Sequence, residues 1–382
     1  MRTHSTWMLG TSTAGRMMWL LAAVVFLLPS TALATTVNVD CDGGGSINAA
    51  LSGLDLEGPH TIIVTGTCHE NVVIRDRERL TIVGVPTATI VAADPGLNVI
   101  RVVRSRSISL AALVITGGSF GLLILRSEVT ADLLTIQNNS FAGVAVTQQS
   151  SLQFLESVVQ NNGGSGVTAN LSSRLEADDS TIQNNAGSGI ALANSSSSNI
   201  VGDTIQNNGG FGVIAFHTSS YQLIGSTITG NGSTGVQVQE TSHAEIVANI
   251  IRNNGAADPA NPGGVGIAEG GEAFIEEGND ISNNTGPGVL VMTHGTLSSL
   301  GGNTINNNTA EGVNLRRQSV GQFFAADTIL GNGAANLACD TTSLAAGDLT
   351  GVTNIKCKEI ERELGPPRPG HIKVDPPSLP EP

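Results

Sequence analysis

The sequence predicts an all-β solenoid of parallel strands with about 23 residues per coil. Three observations carry that prediction: an Asn-Asn pair recurring at a near-fixed period, a glycine column in step with it, and short apolar alternations without helical spacing. The second position of the pair falls at Asn139, Asn162, Asn185, Asn208, Asn231, Asn254, Asn284, Asn308 and Asn332. The first five gaps are 23 residues and the next three are 30, 24 and 24. The glycine column reads Gly143, Gly166, Gly189, Gly212, Gly235, Gly266, Gly288 and Gly312.

In chain order, residues 1–34 read as a signal peptide. Arg2 and Arg16 precede the apolar run MMWLLAAVVFLL, and Ala32-Leu33-Ala34 forms a small-x-small cleavage site. The run is short for a membrane span, and no later segment is apolar for long enough to cross a bilayer. A soluble exported protein, secreted or periplasmic, is therefore expected from near Thr35. Its removal takes both Trp, leaves one Tyr and eight Phe, and makes the net charge of −14 more negative by two. So acidic a chain lacks the basic footprint that nucleic acids and anionic membranes require of a partner.

Residues 35–59 form an N-terminal cap region, in which SINAALSGL (46–54) has the pattern of a short amphipathic helix covering the open solenoid end. The β-helix proper is expected over 60–340, a closing segment over 341–360 and a Pro-rich disordered tail over 361–382. Export favours disulfides among Cys41, Cys68, Cys339 and Cys357, and proximity favours pairing within each end of the chain.

Within one unit, SRLEADDSTIQNNAGSGIALANS, Leu175, Ile182, Ile190 and Leu192 mark three short strands separated by polar corners. Stacked units would lie roughly 4.8 Å apart, the spacing of strands in a sheet. The first position of the pair tolerates Gly at Gly230 and Gly331, which fits a left-handed corner. The second is Asn in all nine units, which predicts an inward ladder of stacked amides. The glycine four residues on is expected to let the chain turn into the next strand.

These repeats resemble those of right-handed parallel β-helix proteins, the pectin-lyase-like superfamily, over roughly residues 60–340. The resemblance implies the fold. For activity it implies only a range, because that superfamily includes lyases, hydrolases, esterases, epimerases, adhesins and proteins of no known chemistry. The lyase segment Arg-x-x-Pro-x-x-Arg is absent from the sequence. Of the polygalacturonase set, Asp178-Asp179 matches one motif and His294-Gly295 is a fragment of another. Neighbouring strand residues point to opposite faces, so Asp178-Asp179 is read as a solvated turn.

The strand after each repeat glycine presents Ala145, Thr168, Ala191, Ile214, Gln237, Ala268, Leu290 and Asn314 outward, a small neutral set without catalytic groups. Most Phe are expected in the core, with Phe216, His217 and Tyr221 around one corner. Two charged clusters remain. Arg75, Arg77, Arg79, Arg101, Arg104, Arg106 and Arg126 could align as a basic strip. Within it Arg101, Arg104, Arg106 and Arg126 are the candidates for an anionic glycan, although Asp76 and Glu78 interleave. The long unit carries GAADPANPGGV (255–265) and then Glu269, Glu272, Glu276, Glu277 and Asp280, a candidate calcium site without fixed ligand spacing. No metal or other cofactor is otherwise indicated.

The leading expectation is an exported non-enzymatic scaffold that binds a glycan or other surface component along its lateral face. A polysaccharide lyase or glycoside hydrolase, resting on fold analogy, is the alternative. A periplasmic metal-handling β-helix is the third, weakened by scattered His and by cysteines better used as disulfides.

Overall fold

The structure, a computed structural model, describes residues 34–357. Of the expected signal peptide all but Ala34, and the whole of the Pro-rich tail, lie outside the described residues.

The coil around Asn185 shows why these residues make these elements. Thr181–Gln183, Ile190–Leu192 and Ser197–Val201 are its three strands. Each pairs in parallel with the strand one unit later: Thr181 with Thr204, Ile190 with Val213, Ser197 with Ser220. Repetition of this register gives a 24-stranded sheet, containing the first and third strands of successive coils, and a 13-stranded sheet of the second strands. Inward positions are apolar: Ile182, Ile205 and Ile228 stack with no exposed surface. Burying one such side chain contributes about 1.5–3 kcal/mol.

Three corners close each coil. At the asparagine corner, Asn184 takes φ 55° and Gly230 takes φ 66°, so the first position of the pair is the left-handed residue. The second position forms the expected ladder. The Asn185 side-chain oxygen accepts both the backbone N–H (3.1 Å) and the amide Nδ2 (2.9 Å) of Asn162. Its own Nδ2 donates to Asn208 Oδ1 at 3.0 Å and to the Val159 carbonyl at 3.2 Å. Every lone pair and proton of a fully buried amide thus has a partner.

Two further ladders were not foreseen from the sequence. At the corner after the second strand, the backbone N–H of Ser150, Ser173 and Ser196 donates to the hydroxyl of Ser173, Ser196 and Ser219 in turn. At the corner after the third strand the series is Ser157, Ser180, Asp203, Ser226, Asn249 and Asn279, each again accepting from the coil before. Ser, Asp and Asn alternate there, so no single letter repeats to reveal it.

The glycine column has a different cause from the one expected. Gly189 does not have positive φ; a Cβ on it would lie 2.6 Å from the Gly212 carbonyl oxygen and press on Ile205. The column exists because the next coil passes too close for a side chain. In the 30-residue unit the column residue is Gly264, not Gly266, because the insertion falls between Asn254 and the glycine. Gly266 instead pairs with Gln237 and Leu290 as the outward residue, displacing Ala268 from that assignment.

Each end is tied down. Disulfides join Cys41 to Cys68 and Cys339 to Cys357. A helix, Ile47–Ser52, buries Ile47 and Leu51 and is N-capped by Ser46. The Glu70 carboxylate accepts from Ser46 Oγ and from the backbone N–H of Ile47 and Asn48 at 2.6–3.1 Å. Arg77 donates to the carbonyls of Leu51, Leu54 and Asp55 at the other end of the helix. Both sets of groups that a helix leaves unpaired are therefore bound to the first coils. No helix among the described residues is long and apolar enough to cross a membrane.

Candidate functional site

The corner between the second and third strands carries two successive left-handed residues in coil after coil: Asn194 and Ser195 (φ 52° and 61°), His217 and Thr218 (53° and 60°), Glu240 and Thr241 (54° and 58°). Such backbone costs of order 1–3 kcal/mol per residue and persists only where the surroundings over-determine it. Here the buried serine ladder immediately following fixes it. The result is a ridge of polar side chains stepped at the strand spacing. Between them runs a trough of about 640 Å³ lined by Asn194, Ser195, His217, Thr218, Glu240 and Thr241. It continues as a hollow of about 350 Å³ bounded by Arg126, Gln148, Gln149, Leu171, Ser172 and Asn194.

The trough is internally ordered. Asn194 Nδ2 donates to Asn170 Oδ1 at 2.7 Å, and the hydroxyls of Ser195 and Thr218 lie 3.0 Å apart. His217 Nε2 stands 2.7 Å from Glu240 Oε2, within ion-pairing distance. Glu240 is the one carboxylate lining either hollow. Hydrolysis by paired carboxylates needs a second one across the scissile bond.

Beside the ridge, on the 13-stranded sheet, lies an apolar slot of about 330 Å³. Its floor includes Leu123, Ala145 and Ala191, and its walls include Phe120, Phe141 and Phe216. This corrects the expectation for the aromatics. Of the eight Phe in the described residues only Phe154 and Phe323 are buried, while Phe141 is 58% exposed and meets Phe120 edge-on at 5.0 Å. Tyr221 moves the other way. It is 2% exposed inside the coil, its hydroxyl against the Gln237 carbonyl, so it takes no part in the corner with Phe216 and His217.

The other candidates fall as follows. Asp178 ends a third strand and Asp179 is the left-handed residue after it (φ 52°). Partial burial and the charges of Glu176 and Asp179 raise the Asp178 carboxyl above its ordinary range. Behind them Asp203 has no exposed surface. One oxygen accepts the Ser180 N–H at 2.6 Å, the other has no partner, and burial pushes its pKa up to about 8. It is a ladder residue that sequence reading missed. His294 is a second left-handed corner residue, far along the ridge from His217 (φ 64°).

The arginines are divided among different tasks. Arg77 holds the cap helix, Arg104 pairs with Asp76 at 2.7 Å, and Arg106 approaches Glu78 at 3.5 Å. Arg101 and Arg126 have no carboxylate within ion-pairing distance among the described residues. The acidic cluster is spread over four places: Glu269 at the ridge, Glu272 and Asp280 on separate strands, and Glu276 and Glu277 at the corner between those strands. Among the described residues, the one group of metal-ligand atoms within 4.8 Å of one another is Cys41, Cys68 and Glu70, and both of its sulfurs are in a disulfide.

The trough residues were invisible in the sequence because the double left-handed corner uses Gln-Gln, Leu-Ser, Asn-Ser, His-Thr and Glu-Thr in turn. A pair at that offset from each Asn-Asn was the only signal.

A family model described as "Right handed beta helix region" matches residues 62–205, 142–299 and 198–345. No curated protein matches the chain. Among solved structures, the catalytic domain of a GH87 alpha-1,3-glucanase in complex with nigerose is similar, with TM-score 0.57, 10% identity, and coverage of 83% of this chain and 68% of that one. Bacteriophage CBA120 tailspike protein 3 is similar at TM-score 0.51 and 12% identity, over 85% of this chain and 59% of that one. A pectate lyase gives TM-score 0.41 at 14% identity, over 81% and 80%. At these identities the likeness extends to the fold.

Proposed function

The chain belongs to the right-handed β-helix family, and from that premise we propose that it is an exported scaffold that holds a neutral glycan in the trough along its ridge without cleaving it. The observation that carries the reading is the lining of that trough. It offers the amides of Gln148 and Gln149, the side-chain oxygen of Asn194, and the acceptor lone pairs of the Ser195, Thr218 and Thr241 hydroxyls, the last two of which donate to the His217 and Glu240 carbonyls. A sugar chain is a repeating row of hydroxyls, and a stepped row of neutral donors and acceptors matches it. The one carboxylate among the lining residues, Glu240, lies within ion-pairing distance of His217. Two disulfides suit an oxidising compartment.

The alternative, a carbohydrate-active enzyme, draws support from the company of the fold, which includes a glucanase in complex with nigerose. One experiment separates the two. The chain from Thr35 is passed over a panel of immobilised neutral and acidic polysaccharides, and the eluates are assayed for new reducing ends and unsaturated uronates. Retention on a neutral polysaccharide without product is expected. Product release would replace the scaffold reading by the enzymatic one, and absence of retention throughout would remove the glycan.

A further inference from the structure

The apolar slot beside the ridge has a chemistry that the trough lacks. Its floor residues lie in one outward column, with Leu123 paired to Ala145, Ala145 to Thr168, Thr168 to Ala191 and Ala191 to Ile214. Within it the slot floor runs from Leu123 to Ala191, three strand steps of ~4.8 Å or roughly 14 Å, the scale of an extended alkyl chain. The polar groups that border it are spent within the protein. Thr168 Oγ1 donates to the Val144 carbonyl, and Asn170 Oδ1 accepts from Asn194 and from the Leu171 N–H. A sugar ring would find few free partners there, and its hydroxyls would lose water uncompensated. A methylene chain loses nothing of the kind and gains from every CH₂ it buries.

Two arginines stand next in register to lining residues at one end of the slot, outside its lining. Arg101 pairs in register with Leu123, placing it next in the outward column. Arg126 follows Leu125, whose register partner Thr147 borders the slot. Among the described residues neither guanidinium donates a hydrogen bond, and the Arg101 Nε is buried without a partner. Neighbouring Arg77, Arg104 and Arg106 all have partners of their own. A buried donor left unpaired is destabilising, and an arriving carboxylate would relieve it with charge-assisted bonds. The opposite end is neutral, with Gln237 Nε2 directed to Gln239 Oε1 at 3.4 Å.

We propose that this slot is a binding site for a long-chain fatty carboxylate, with its alkyl chain along Leu123, Ala145 and Ala191 between the Phe walls and its head at Arg101 and Arg126. The site is separate from the glycan trough in its floor, and Arg126 is common to both because it also bounds the continuation of the trough.

The test is a titration of the chain from Thr35 with dodecanoate below its micellar concentration, read by calorimetry. Saturable one-to-one binding is expected, weakened at least about tenfold by Ala191→Phe, which fills the slot. The double variant Arg101→Gln/Arg126→Gln should weaken dodecanoate by a similar factor while leaving the uncharged alcohol of the same chain length unchanged. Absence of saturable binding, or binding that neither variant alters, overturns the proposal. Retention of Ala191→Phe on neutral polysaccharide reports folding and the trough separately, so failure of the slot and failure of the glycan reading are distinguishable. Should Ala191→Phe not fold, the double arginine variant decides alone, because Arg126 is exposed and Arg101 faces outward.

Discussion

Asn185 and Asp203 occupy equivalent ladder positions at different corners, and they show what a buried side chain must satisfy here. Asn185 uses its whole amide, so Asn185→Ala orphans the backbone N–H of Asn162 and removes one of two bonds from Asn162 Nδ2 and from Asn208 Oδ1. The expected cost is on the order of 1–3 kcal/mol, seen as a lower urea midpoint; an unchanged midpoint would contradict the ladder account. Asp203 uses only one oxygen of two. Burial foremost, together with the charges of Asp178 and Asp179, holds its folded pKa near 8 against an ordinary 3.8, while the Ser180 N–H pulls the other way. The sign follows from proton binding. Between those two values the folded chain keeps a proton that the unfolded chain has released, so stability contributed by this group is full at low pH and is lost as pH rises through that window. Asp203→Asn, which installs the residue already present in the same ladder at Asn249, should remove that dependence. Thermal unfolding of the two proteins should nearly coincide at pH 4, and the variant should melt higher at pH 8. A constant difference across that range would contradict the assignment.

The elements are short, three to five residues in most coils, and none would stand alone. Their stability comes from the coil above and the coil below, which makes the two ends the vulnerable places. The N-terminal end is closed by the helix Ile47–Ser52, held at its start by Glu70 and at its finish by Arg77. Glu70→Ala should leave the middle coils intact while amide hydrogen exchange rises across residues 46–54; exchange unchanged there would mean that apolar packing of Ile47 and Leu51 suffices. This helix was legible in the sequence because SINAALSGL combines an N-cap serine with apolar residues four apart. The glycine column was legible as a pattern, but its cause was not. Close passage of the next coil is a tertiary fact, and a turn residue gives the same letter.

At the scale of the whole molecule, the period, the strands and the asparagine ladder could be read because one residue type, Asn, recurs where one geometry recurs. The candidate site could not be read in this way. Its ridge repeats a backbone conformation while changing side chains, and its slot depends on which Phe the coil turns outward, a property that composition does not carry. An exposed aromatic and a buried one are the same letter until the register is known. The same register places neutral amides and hydroxyls on one ridge of an acidic rod. Glycan binding belongs to this ridge. It is tested most directly by titrating wild type and Asn194→Ala/His217→Ala with an oligosaccharide of the neutral polysaccharide that best retains the chain. Affinity should fall about tenfold or more while the folded state persists with a modestly lower melting temperature, since both residues are exposed but left-handed. Equal affinity in the two proteins would place the glycan elsewhere and contradict that assignment.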